Sequence, residues 1–307
     1  MDSEIGEFEA RAIDQRVERI LRDLGNPEPP LRLEPVFELL KLDLNYYRAD
    51  DVGVLAEFAH RIKLAGKQLA ERPALALDAL RKAKLSALWV PDGKRIFIDE
   101  SVPKPKHRWI QGHEITHGVT DWHQAFLFGD NASTLDPGCW EQLEAEANYG
   151  AGRLLFLRDR FTAEALDCPL NFDSVKLLKE RYGNTVTSTF WRMVEDRDAH
   201  GAVFGLVSQH PHYPNIGEGR AGRPWRDFPR SRIFRAQFSR ITADHVFELI
   251  GRHATRKRSG PVIAGTDVVT DDNGIPHEVR LEGFCNTYSV MTLGVVTNSA
   301  MARIPMA

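Results

Sequence analysis

Five consecutive residues, His113-Glu114-Ile115-Thr116-His117, carry the groups needed to hold a divalent metal and to move a proton beside it. On an α-helix, residues four apart lie one above the other on the same face, so the two imidazoles can grip one ion. Glu114, between them, can reach a water at that ion and serve as its general base. This is the H-E-x-x-H arrangement of zinc-dependent peptidases. Such a site needs a helix under the motif and a third ligand.

The flanking residues support the helix. Pro103 and Pro105 suit a helix start, and no proline interrupts Arg108 to Val119. Trp109, Ile110, Ile115 and Val119 recur at roughly helical spacing. Gly112 and Gly118 weaken the helix somewhat but leave room for a neighbouring segment to pack closely.

Two sources can supply the third ligand. His123 follows His117 by six residues, the spacing of the longer H-E-x-x-H-x-x-G-x-x-H string of metzincins. Thr120, however, stands where that string has the glycine that turns the chain back to the metal. None of the five methionines stands where a Met-turn would require one. The second source is the segment Glu141–Leu157, rich in helix formers, with Leu143, Ala147, Ala151 and Leu154 in an apolar stripe and Gly150 beside it. Glu144 and Asn148 lie one turn apart on it, so Glu144 can bind the metal while Asn148 orients a ligand histidine through its other ring nitrogen. The expected ligands are therefore His113, His117 and Glu144, with Asn148 behind them and Glu141 the rival acid. Glu146, about 200° around the helix from Glu144, is expected to be solvated or paired.

These residues resemble those of the ImmA/IrrE metallopeptidase family. The resemblance runs from Arg108 to Leu157: the H-E-x-x-H helix, the Trp122-His123 pair, then Glu144-Ala-Glu-Ala-Asn148 leading into Leu154-Leu155-Phe156. Gly150 stands where the family often has phenylalanine. The resemblance implies a zincin-like domain with His113, His117 and Glu144 as zinc ligands and Glu114 as general base. It further implies a protein substrate, a helix-turn-helix transcriptional repressor whose cleavage switches on gene expression. A non-proteolytic protein that binds and sequesters a repressor is the alternative, although pure binding has no use for Glu114. Manganese or iron also suits two histidines and a carboxylate.

Composition is that of a globular chain: 307 residues, 42% hydrophobic and 27% charged. A net charge of −3 gives no global electrostatic reason to bind nucleic acid directly. The acidic start lacks the basic and apolar regions of a signal peptide, and no apolar run approaches the roughly 20 residues of a membrane span. Three widely spaced cysteines suit reduced thiols. A cytoplasmic protein without membrane attachment is expected.

The elements that must position the site form an α+β pattern. Ala10 to Leu24 reads as an amphipathic helix, Pro35 to Leu42 as a short helix and Asp43 to Arg48 as a strand. Helices follow over Val52 to Glu71 and on to about Lys84. Leu85 to Val90 and Lys94 to Asp99 flank a Pro-Asp-Gly turn and predict a hairpin whose edge could take up an extended peptide. Asp173 to Gly183 and Thr187 to Ala199 read as helices. Beyond residue 200 the texture turns to strands, at Ala202 to Ser208, Arg232 to Phe238, Pro261 to Thr270, His277 to Phe284 and Thr287 to Val296. A helix from Ile241 to Arg256 interrupts them, and Asp271 to Gly274 is a hairpin turn. The expected organisation is a zincin-like metallopeptidase domain over 1–200 and a β-rich α+β domain, sensory or substrate-binding, over 201–307. Six arginines between Arg220 and Arg235 read as a solvated loop paired with local acids. His123, His210, His212 and Tyr213 are candidates for the cleft or for stabilising an oxyanion, with Tyr149 a further donor.

Overall fold

The computed structural model describes residues 5–48, 87–90, 94–123, 137–198, 200–217, 219 and 222–299. The helices expected over 52–71 and 72–84, and the turn at 91–93, lie outside the described residues. The chain forms two compact units, one of Met1–Arg158 with Tyr182–Asn184, the other of Asp159–Arg181 with Thr185–Ala307. It is an α+β protein. No helix among the described residues is long and apolar enough to cross a membrane.

The first unit contains α1 (Glu7–Asp23), α2 (Glu34–Leu40), β1 (Asp43–Tyr47), β2 (Ala87–Val90), β3 (Arg95–Asp99), α3 (Lys104–Val119) and α4 (Pro137–Leu155). Its sheet runs in the order β1-β3-β2, with β1 parallel and β2 antiparallel to β3. Ile96, Phe97 and Ile98 are all buried, so the central strand is enclosed on both faces. The apolar stripe of α1, Ile13, Val17, Ile20 and Leu21, is buried, as are Leu143, Ala147, Ala151 and Leu154 of α4. Helix α4 packs against both α3 and α1. Tyr182–Asn184 joins this unit because Arg108 Nε donates to Asn184 Oδ1 at 3.0 Å and Asn184 Nδ2 donates to the Leu155 carbonyl at 3.2 Å.

Helices α3 and α4 approach closely because two glycines lie between them. A Cβ on Gly150 would sit 2.3 Å from Thr116 Cγ2, and one on Gly112 would sit 3.0 Å from Leu155 Cδ1. Thr116 fills the space beside Gly150. Its hydroxyl donates to the Gly112 carbonyl at 2.9 Å, which fixes its rotamer.

The second unit contains α5 (Asp159–Leu166), α6 (Phe172–Tyr182), α7 (Val186–Glu195), β4 (Val203–Ser208), β5 (Trp225–Asp227), α8 (Arg232–Gln237), α9 (Ala243–His253), β6 (Gly260–Thr270), β7 (Pro276–Cys285) and β8 (Val290–Ser299). Its five strands are antiparallel in the order β5-β4-β8-β7-β6. Phe204, Leu206, Val246, Ile250, Val279 and Leu281 build its core between sheet and helices. The compact boundary falls at Arg158, earlier than the expected change at residue 200. That change marks where helices give way to strands, whereas packing groups the preceding helices with the sheet: Phe172 stacks on Phe190 at 5.6 Å and on Phe284 at 5.9 Å. The segment Arg232–Phe238, expected as a strand, is mainly helix α8. Ser231 caps it, its hydroxyl accepting from the Phe234 amide at 3.2 Å. At the Asp271–Gly274 turn, Asp271 Oδ1 accepts from the amides of Asn273 and Ile275, and Gly274 takes φ +83°.

Replacing Gly150 by alanine should destabilise the protein by about 1–2 kcal/mol, because the clash with a locked, buried Thr116 outweighs the helical gain of about 1 kcal/mol. Urea unfolding of wild type and Gly150→Ala, followed by circular dichroism, measures this.

Candidate metal centre

Helix α3 begins after Pro103 with Pro105 in its first turn, and its inner face buries Gly112, Glu114, Ile115, Thr116 and His117. The i, i+4 spacing brings His113 Nε2 and His117 Nε2 to 3.1 Å of each other. From α4, Glu144 places Oε2 3.3 Å from His113 Nε2 and Oε1 3.5 Å from His117 Nε2. The ligand atoms of His113, His117 and Glu144 all lie within 4.8 Å of one another. Two imidazoles and a carboxylate converging in this way are the donor set of a divalent transition metal. Glu141, the rival acid, is exposed on α4 and outside this group.

The electrostatics match the geometry. Burial disfavours charge on His113, but the hydrogen bond to Glu144 and the charges of Glu114 and Glu144 outweigh it and raise its pKa. Burial lowers His117 to about 4, with the neighbouring His113 and His123 adding to the fall against the pull of Glu144. Burial also opposes ionisation of Glu144, yet the closeness of the two histidines prevails and lowers its pKa. Two imidazolium charges so close oppose each other, and His117 is the ring held neutral. An ionised carboxylate and a neutral imidazole are the forms that bind metal.

Asn148 stands where the sequence places it. Its Oδ1 is 3.2 Å from His113 Nδ1 and accepts from Trp109 Nε1 at 3.3 Å. The indole can only donate, so the amide must face it with its oxygen, and His113 Nδ1 must donate to that oxygen as well. With its proton on Nδ1, His113 would offer Nε2 to a metal. Trp109, expected only as an apolar helix position, supplies this polar contact through its ring nitrogen.

Glu114 is buried, at 7% exposure, and its charge is felt by His113 and by Tyr47 of β1. Burial and the charges of Asp99 and Glu114 push the Tyr47 phenol up to about 12. Tyr47 was not singled out from sequence; it stands in a strand whose register with β3 brings its side chain inward.

His123 takes a different place from the one expected. It is fully buried rather than at a cleft mouth, and its Nδ1 lies 2.8 Å from His117 Nδ1, the ring edge opposite Glu144. Thr120 continues in extended backbone, φ −100° and ψ 104°, so the chain does not turn back as the metzincin string would. Glu146 receives His123 Nε2 at 2.9 Å, Trp122 Nε1 at 2.7 Å and Gln142 Nε2 at 3.0 Å. Of its two expected states, solvated or paired, it is the paired one. Asp121 joins Arg16 in an ion pair at 2.7 Å, and Arg16 Nε donates to the Val119 carbonyl at the end of α3.

The remaining candidates are engaged elsewhere. Tyr149 donates its hydroxyl to Asp14 at 3.0 Å. In the second unit, the His210 and His212 ring nitrogens meet the carbonyls of Lys257 and Ala254, and the Tyr213 hydroxyl donates to the Arg256 carbonyl. These three rings tie one loop to another, and none belongs to the metal-ligand group. Around the expected arginine loop, Arg226 pairs with Asp227, while Arg223 and Arg230 lie over the rings of Trp225 and Phe228. Arg220 lies outside the described residues.

No protein-family model matches the chain, and no curated protein matches it. Among solved structures, a Mycobacterium tuberculosis transcriptional regulator is similar in fold, with a TM-score of 0.50 and 11% identity over 95% of this chain and 89% of that one.

Purified protein supplied with zinc is expected to hold about one ion per chain. Elemental analysis should find that ion lost in Glu144→Ala and retained in Glu141→Ala.

Proposed function

We propose that the chain is a zinc-dependent endopeptidase of the ImmA/IrrE kind, built on a zincin-like domain, and that its substrate is a helix-turn-helix transcriptional repressor. The observation that carries the reading is the convergence of His113, His117 and Glu144 with Glu114 one residue along the same helix. The substrate class rests on the family resemblance of residues 108–157. Zinc bound there would supply Lewis acidity, lowering the pKa of a water and polarising the scissile carbonyl. The chain's own part is then threefold. His113, His117 and Glu144 fix the ion between two helices. Glu114, buried and ionisable, takes the proton of the attacking water and hands it to the leaving amine. The packed helices behind the ligands keep bulk water from the rear of the site.

Cleavage tests the reading. A proteome-derived peptide library incubated with the zinc-supplied protein and read by N-terminal mass spectrometry should show new termini. Glu114→Gln should reduce their formation at least about 10²-fold while zinc content stays the same, since it removes the base and not a ligand. Zinc retention without any cleavage dependent on Glu114 would instead favour the sequestering reading.

A further inference from the structure

Behind His117, on the ring edge away from Glu144, a buried histidine and a buried carboxylate stand in line. His123 is 0% and Glu146 2% exposed. A peptidase site needs neither as ligand or base, and neither belongs to the group formed by His113, His117 and Glu144. Burying a carboxylate costs several kcal/mol unless it is fully paired, and an apolar residue would fill the same space at least as stably. Glu146 is instead provided with three donors, His123, Trp122 and Gln142.

Hydrogen-bond counting shows what this arrangement does. Ionised Glu146 can only accept, so His123 Nε2, 2.9 Å away, carries the proton. As a neutral imidazole with its one N–H on Nε2, His123 holds a lone pair on Nδ1. His117 Nδ1, 2.8 Å from it, must then donate. That leaves the lone pair of His117 on Nε2, the nitrogen facing Glu144 and His113, where a metal needs it. The segment that brings His123 here is itself held: Arg16 binds the Val119 carbonyl and Asp121, and its guanidinium lies 4.9 Å over the Trp122 ring.

We propose that Glu146 and His123 are a positioning pair that fixes the tautomer and ring orientation of His117, and thereby sets the affinity of the site for its metal. The inference rests on the metal-site reading above and extends it to residues that touch neither ion nor substrate. It assigns to the second acid of the Glu144-Ala-Glu146 string a role distinct from the first: one binds, the other aligns.

The test is zinc affinity by competition with a chromophoric chelator, measured on folded proteins checked by circular dichroism. His123→Phe keeps the ring volume but removes the acceptor, and Glu146→Ala removes the anchor. Each should weaken zinc binding about 10- to 100-fold. Glu146→Gln, nearly the same shape and still able to accept from His123 Nε2, should lose less than about tenfold. A second readout follows the His117 ring nitrogens by long-range ¹H–¹⁵N spectra of the zinc-free protein. Wild type and Glu146→Gln should show Nδ1–H with Nε2 unprotonated, and His123→Phe should show a mixture. Zinc affinity within about twofold of wild type in the folded variants, with an unchanged His117 ring signal, would overturn the proposal while leaving the metal site standing. If His123→Phe and Glu146→Ala do not fold, Glu146→Gln decides: wild-type affinity together with a His117 tautomer unlike the one assigned refutes the pair's role. A wild type that takes up no zinc would refute the metal-site reading itself, and this inference with it.

Discussion

The close approach of α3 and α4 is the constraint from which the rest of the site follows. Two histidines on one helix make only part of a metal site. The carboxylate must come from a second helix, and it reaches the imidazoles only because backbone meets side chain at Gly150 and Gly112. Thr116 in turn occupies the Gly150 space and is locked by its own bond to the Gly112 carbonyl. Packing and ligand placement are thus one arrangement. The residues that allow the helices to touch alternate along α3 with those that face the metal group.

The unit that contains the site buries an unusual collection of polar groups. Glu114, His117, His123 and Glu146 are each under 9% exposed, within a layer also packed with Ile13, Ile115 and Ala147. Such groups survive burial when each donor meets an acceptor. Trp109, Trp122, Gln142 and Asn148 do this on the α3 and α4 side, and Arg16 does it from α1. The N-terminal helix, through Arg16 more than a hundred positions upstream of His123, is therefore part of the scaffold that holds the end of α3 and the segment carrying His123.

What could be read from sequence was what depends on local spacing. The pairing of His113 with His117 follows from helix geometry alone, and the Glu144-to-Asn148 turn follows from the same rule on a second helix. His123 was legible as relevant but not in its direction, because the direction depends on extended backbone at Thr120 and on a bond from Arg16, neither of which spacing reveals. Glu146 was assigned to the far side of its helix from Glu144, correctly in angle. At that angle Glu146 meets His123, on the segment that follows α3. Ile233, Phe234 and Phe238 resemble a β run in the sequence, yet the segment is helix α8, N-capped by Ser231. The break at residue 200 followed the change in periodicity, which marks element type and is blind to which elements share a core. Strands β4, β6, β7 and β8 and the turn at Asp271–Gly274 lie within three residues of their expected bounds, whereas the three-residue β5 is too short to show a pattern in the sequence.

One helix supplies acids to both edges of the same imidazole, Glu144 on the Nε2 side of His117 and Glu146 on the Nδ1 side by way of His123. Sliding that helix by a single residue would move it about 1.5 Å along its axis and turn each side chain by about 100°. Both acids would then leave their places together, and no intermediate register would satisfy either one. The alignment of the two helices is therefore self-checking: it is read at two points on opposite sides of one ring, and a fit at one implies a fit at the other.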